Sequence, residues 1–217
     1  TTDTPLQQLT RTMTAACPPR VIVNVLLNRA KQITDLVVGD VTAAHDAGCA
    51  KALHEAMRPV SRRFPVVLTT NSGYPLDQNF YQTVKGISAA ARIVEPGGTI
   101  VVASRCNVGL PGEGEFADIL RDPRSSSDLL KAILASARTR HDQWQVQTLL
   151  QCLEQAEIVL VSDLAEADRA CTRTQHAPSV DAALAAARAR HGTRPSIAVL
   201  PLGPLTIPTL AQEAGRA

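Results

Sequence analysis

Residues 66–86, VVLTTNSGYPLDQNFYQTVKG, gather more groups able to act together than any other stretch of this chain. A run of β-formers ends in a polar loop containing Gly73 and Pro75, and the loop opens directly into an amphipathic helical pattern. Asn71, Ser72, Tyr74, Asp77, Gln78, Asn79, Tyr81, Gln82 and Lys85 supply donors, acceptors and one cation there. Tyr81 and Lys85 are four apart, and Gln82 and Lys85 three apart, so the three share one helix face. The chemistry this suits is the holding of a small anion or a hydroxylated molecule. The amino end of a helix favours negative charge, and loops leaving the carboxyl end of a strand are where α/β proteins hold ligands. The same residues also have structural uses: Asp77 or Asn79 caps the helix, Gly73–Tyr74–Pro75 makes a turn, and Lys85 is a solvated face residue. Spacing alone leaves both readings open.

The elements around this stretch follow an alternating rhythm. A helix is expected over 3–15, capped by Asp3 or Thr4 with Pro5 at an early position and ended by Cys17–Pro18–Pro19. VIVNVLL and ITDLVVG make a hairpin around residues 28–32, and the Ala-rich 41–58 is helical. The pattern then predicts a strand at 65–70, a helix at 79–94, and Pro96–Gly97–Gly98 turning into a strand at 99–104. After it come the glycine-bearing loop NVGLPGEG (107–114), a short helix at 114–121, helices at 127–139 and 142–155, and a strand at 157–162. A short helix, a helix at 179–191 ended by Gly192 and a strand at 196–201 complete the chain. Continuous apolar runs such as IVLVS and SIAVL indicate an open, mostly parallel Rossmann-like α/β sheet with helices on both faces, preceded by a helix and a β-hairpin. Residues 1–60 are expected to form the helix, hairpin and connecting helix, and 61–217 the α/β domain. Loops 71–85 and 105–114 should leave the same edge, because both follow strands of one βαβ unit.

Bulk properties exclude several classes. With 217 residues, 45% hydrophobic and 19% charged, the chain can build a substantial core. Aromatics are only 3%, so Val, Ile, Leu and Ala must carry that core. A net charge of +2 with scattered basic residues and no aromatic platform gives no case for nucleic acid. No apolar run approaches the roughly 20 residues of a membrane span. Cys17, Cys49, Cys106, Cys152 and Cys171 are odd in number and far apart, without a CxxC, which argues for a reducing, cytoplasmic compartment and against a disulfide framework or structural zinc. The opening residues lack the pattern of a secretory leader.

No catalytic set emerges. There is no Gly-x-Ser-x-Gly elbow, no HExxH and no carboxylate pair with an acid/base arrangement. His141 and His176 have no ligand at metal spacing. NVGLPGEG matches neither a dinucleotide GxGxxG nor a phosphate-binding P-loop, although its place after a strand makes it a candidate wall of the cleft at 71–85. The chain offers binding groups without an engine.

NSGYPLDQNFYQTVKGISAA (71–90) resembles the carboxy-terminal half of the nickel-dependent lactate racemase family. VIVNVLLNRAKQITDLVVGDVTAAHDAGC (21–49), HDQWQVQ (141–147), VLVSDL (159–164) and LPLGPLTIP (200–208) are similar to family segments in the same order. The match covers most of the chain. What it implies is a domain of an enzyme that racemises or epimerises a 2-hydroxy acid by reversible hydride transfer to a nickel-pincer nucleotide. The family's cofactor lysine, nickel-binding histidine and acid/base histidines belong to an amino-terminal half with no counterpart here. The resemblance therefore implies no catalytic residue and no metal or cofactor site within these 217 residues, an inactive isolated chain, and an amino-terminal catalytic domain of the same protein as partner.

Carried over residue by residue, YQTVK places Tyr81, Gln82 and Lys85 at the substrate. Lys85 would neutralise the carboxylate or developing alkoxide, and Gln82 would bond a substrate oxygen. Trp144 in HDQWQ matches a family tryptophan facing the substrate; core or interdomain packing is its other use. Asn71, Ser72, Gly73, Tyr74 and Asp77 are candidate cleft residues. NVGLPGEG departs from the glycine- and histidine-rich loop the family has there, so the hydroxy acid stays unassigned. The alternative is a non-catalytic small-anion-binding domain or an unrelated α/β enzyme, separated from the first reading by a cofactor lysine and paired histidines in the parent gene product.

Overall fold

A computed structural model describes residues 4–28 and 30–211. The chain divides into two compact units, one ending at Met57 and one starting at Arg58.

The first unit opens with α1 (Pro5–Ala16), whose N-cap Thr4 accepts from the Gln7 amide. Asp3, the other expected cap, lies outside the described residues, as does Arg29 in the hairpin turn. Strands β1 (Ile22–Leu27) and β2 (Ile33–Gly39) pair antiparallel from Ile22↔Gly39 to Leu26↔Asp35, with a register shift before Leu27. Asn28 holds the turn, its Oδ1 accepting from the Ala30 and Gln32 amides. Asp40 caps α2 (Val41–Ala56) through the Thr42 and Ala43 amides.

The second unit is a five-stranded sheet in which every described pair is parallel: β4 (Phe64–Thr70), β5 (Val94–Ala103), β6 (Glu157–Val161), β7 (Gln175–His176) and β8 (Ile197–Leu200), in the order β7-β6-β5-β4-β8. Alternating side chains pack opposite faces. Val67, Ile100, Val102, Ile158 and Leu160 join one large core with α3 (Phe80–Ala91), α4 (Phe116–Leu120), α5 (Ser126–Ala135) and α6 (Gln143–Gln155). Val101 and Val159 meet Ala183 of α8 (Val180–His191) on the other face. The sheet is thus covered on both faces, as the continuous apolar runs predict.

Three elements differ from expectation. Helix α3 ends at Ala91, three residues early, because Val94 is already a buried strand residue paired with Phe64. The register jumps from Phe64↔Val94 to Val66↔Thr99, so Pro96–Gly97–Gly98 is a bulge inside β5 and not a turn before it. Helix α5 ends at Ala135 rather than 139, capped by Ser136. A second small sheet, β3 (Met57–Val60) with β9 (Ile207–Leu210), a 3-10 turn at Gly203–Leu205 and α7 (Glu166–Arg169) complete the unit. Among the described residues no helix is long and apolar enough to cross a membrane.

Candidate functional site

Parallel pairing of β4 with β5 sends the loops at 71–79 and 104–115 out of the same, carboxyl edge of the sheet. The two loops are also zipped together. The Cys106 amide donates to the Asp77 carbonyl at 2.7 Å, Val108 to Gln78 at 2.9 Å, and Phe80 to the Gly109 carbonyl at 3.2 Å. NVGLPGEG is therefore partly a fixed wall beside the loop after β4, not a free surface connection.

Several candidate cleft residues are spent on the fold. Asn71 is fully buried; its Nδ2 donates to the Leu76 carbonyl, and its Oδ1 accepts from the Gly86 amide at 3.2 Å, tying the loop to α3. Gly73 closes a turn, its carbonyl accepting from Leu76 and Asp77 at 2.8 and 3.1 Å. Asp77 is buried, its carbonyl engaged by Cys106. Tyr74 stands almost wholly exposed. The Ser72 hydroxyl differs: its oxygen is buried without a hydrogen-bond partner among the described residues, on a backbone at φ 66°.

Asn79, not Asp77, caps α3, its Oδ1 accepting from the Gln82 amide at 2.9 Å. With the Phe80 amide bonded to Gly109, two of the first three amides of α3 are already engaged. Attraction for an anion at this helix end falls mainly to Lys85, an exposed side chain one turn on. No ion pair among the described residues involves Lys85. The Gln82 side-chain oxygen is buried and has no hydrogen-bond partner among the described residues. A buried acceptor left open costs free energy that an incoming hydroxyl would recover.

Four of the six aromatic residues meet at this edge. Phe80 and Phe116 lie 6.2 Å apart, Tyr81 is edge-on to Phe116 at 5.1 Å, and Tyr81 is edge-on to Trp144 at 6.0 Å. Offset and edge contacts at these distances each add about 1 kcal/mol beyond area burial. The Gln145 side chain donates to the Tyr81 carbonyl at 2.7 Å, fixing α6 against α3. Trp144 is 55% exposed, so packing uses only part of the indole.

Three residues that sequence reasoning passed over position this cluster. Phe116 is fully buried between Phe80 and Tyr81. Glu115 clamps the loop before Trp144: its two oxygens accept from the Arg140 guanidinium and the His141 amide, both at 2.8 Å. Asp142, at φ 63°, sits beside the Tyr81 phenol, whose pKa is raised by burial first and by this carboxylate second. Gly114 makes room for it, because a Cβ there would come within 2.0 Å of an Asp142 oxygen. The scarcity of aromatics was the one available signal for Phe116. Nothing local marked Glu115 or Asp142.

No group of three or more His, Cys, Asp or Glu among the described residues could ligate a metal. A groove of about 440 Å³ does open, but at the amino-terminal edge of the sheet, where its Glu157 is already paired with Arg190 at 2.8 Å.

Comparison with known proteins shows which family the chain resembles. A family model described as "Lactate racemase C-terminal domain" matches residues 60–207. The lactate racemase of Lactiplantibacillus plantarum is 35% identical over 185 residues, covering 84% of this chain and 43% of that protein. The lactate racemase of Thermoanaerobacterium thermosaccharolyticum is 34% identical over 144 residues, covering 65% of this chain and 33% of that protein. The solved lactate racemase apoprotein from the same organism superposes with a TM-score of 0.88 at 27% identity, over 95% of this chain and 50% of its own. A Thermotoga maritima crystal structure, at 10% identity and a TM-score of 0.66, shares the fold alone. The chain thus spans half or less of the length of these lactate racemases.

Proposed function

Since the chain belongs to the lactate racemase C-terminal domain family, we propose that it is the substrate-side part of a racemase or epimerase acting on a small 2-hydroxy acid. In this reading a nickel-pincer nucleotide, held by an amino-terminal catalytic half of the same protein, supplies the hydride chemistry. Among the described residues of this chain no group of three or more His, Cys, Asp or Glu could hold nickel, so in this reading the residues that hold it belong to the amino-terminal half. This chain contributes binding, orientation and exclusion of water. Tyr81, Gln82, Lys85 and Trp144 carry those roles.

Lys85 pairs with the substrate carboxylate, and a preplaced cation in a closed site is worth most where negative charge develops. Gln82 holds the 2-hydroxyl, offering it the acceptor that the protein leaves open. The exposed part of the Trp144 indole covers the carbon skeleton, and Tyr81 keeps that indole in place. The observation that carries the reading is the pairing, on one helix, of a buried Gln82 oxygen that has no partner among the described residues with an exposed lysine three residues on.

The test is chiral chromatography on the nickel-loaded complete protein. Either lactate enantiomer, or one of a panel of malate, glycerate and mandelate, should convert towards a mixture of the two configurations. Configurational stability of every acid in the panel would overturn the reading.

A further inference from the structure

The described residues of the first unit bury almost nothing. Among them only Val37 and Ala44 are buried apolar side chains. The β1–β2 hairpin packs one face on α2, where Val37 meets Gly48. The opposite face pairs Val23 with Val38 and Val25 with Leu36, and these four side chains are between 45% and 64% exposed. Helix α1 has no buried residue and leaves Leu9 and Met13, one turn apart, exposed on a single stripe.

Such a unit cannot be complete. A two-stranded hairpin is marginal in water on its own, as is a lone twelve-residue helix, and soluble surfaces seldom leave an apolar ladder of this extent open. What covers it is indicated by the comparisons taken together. The C-terminal domain family model begins only at residue 60, just past this unit. Yet the Thermoanaerobacterium apoprotein superposes on 95% of the chain, which takes in most of the unit, while the chain accounts for only 50% of that protein. Most of the unit is thus shared with that lactate racemase, and it lies outside the residues that the C-terminal domain model matches.

We propose that the outer face of the hairpin, Val23, Val25, Leu36 and Val38, with the Leu9 and Met13 stripe of α1, docks the amino-terminal half of a lactate racemase-type protein. Residues 4–57 thereby complete the hydrophobic core of that half. The proposal rests on reading the chain as the carboxy-terminal part of such a protein. Burial of both faces would supply the third layer that the hairpin and helix lack, and it would fix the catalytic half to this chain through shared core rather than through the substrate cleft.

The experiment co-expresses the 217-residue chain with an affinity-tagged amino-terminal half of the Thermoanaerobacterium enzyme, ending before the matched region. Complexes are sized by chromatography with light scattering. An equimolar complex is expected, weakened about tenfold or more by Val25→Lys with Leu36→Lys. Both side chains are exposed, so the variant should keep the circular dichroism and melting of the chain alone. A complex indifferent to the lysines would overturn the docking surface and leave the carboxy-terminal reading standing. Absence of any complex, with both halves recovered in soluble form, would overturn the docking proposal, whereas the carboxy-terminal reading stands or falls with racemisation by the complete protein. A dimer of the chain alone that the lysines dissociate would assign the face to a second copy, which also overturns the proposal.

Discussion

The Tyr81 ring meets the Trp144 indole edge-on, with centroids 6.0 Å apart and planes at 85°. Trp144 is the only tryptophan in the chain, so its emission reports on one place, the contact between α3 and the start of α6. The indole is held from below by Tyr81 and from its own backbone by the clamp of Glu115 on Arg140 and His141.

That clamp predicts a pH dependence. The Glu115 carboxyl is held below its ordinary value by the Arg140 hydrogen bond first and the His141 amide second. A depressed carboxylate stabilises the folded arrangement above its ordinary titration range and loses that contribution as pH falls through the lowered value. Trp144 emission should therefore be steady from neutrality to about pH 5 and shift below about pH 4. Glu115→Gln should show the acid form at neutral pH and lose the step. An unchanged step in the variant would assign the transition to another group.

Asn71 is a test of fold against site. Its side chain bonds both the Leu76 carbonyl and the Gly86 amide from a fully buried position. Asn71→Ala should lower unfolding free energy by about 1–3 kcal/mol, the cost of leaving buried partners unmet. Urea denaturation of the chain checks this. A variant as stable as the parent would return Asn71 to the list of ligand-facing residues.

The strand, polar loop and helix over 66–86 were legible because each is local. A β-rich run, a side-chain cap and apolar spacing all lie within a few residues of one another, and the parallel order follows from alternation. The β3–β9 pair was not legible. Its strands are far apart in sequence, and each carries a proline, Pro59 and Pro208, which argues against a strand on local grounds. The candidate site split in the same way. The helix face bearing Tyr81, Gln82 and Lys85 is read from spacing. The uses of Asn71, Glu115 and Asp142 depend on partners that only folding brings near, Gly86, Arg140 and Tyr81 respectively.

Gly86 tests how closely α3 rides on the end of β4. A Cβ there would lie 2.7 Å from the Thr70 carbonyl oxygen and 3.1 Å from the Asn71 Oδ1. Helix propensity alone favours alanine by about 1 kcal/mol, whereas overpacking against backbone costs about 1–3 kcal/mol and the shift would also strain the Asn71 bond. The second effect should win, so Gly86→Ala should destabilise the chain in a urea titration. A gain in stability would mean that the helix has room to move away from the strand.

Lys85 is the residue whose loss should separate binding from folding most cleanly. It is exposed, one turn into a helix whose first amides are largely engaged, and no ion pair among the described residues involves it. Removing an exposed, unpaired side chain should leave stability within about 0.5 kcal/mol. If Lys85 supplies the cation for a substrate carboxylate or developing alkoxide, Lys85→Ala in the complete, nickel-loaded protein should cut turnover about a hundredfold, the scale of one lost preorganised donor. Lys85→Arg should restore part of the charge pairing without the compact ammonium geometry and fall between the two. The check is the rate of enantiomer interconversion beside a melting curve. A variant that melts normally and racemises at the parental rate would make Lys85 a solvated helix residue and move the substrate away from this edge.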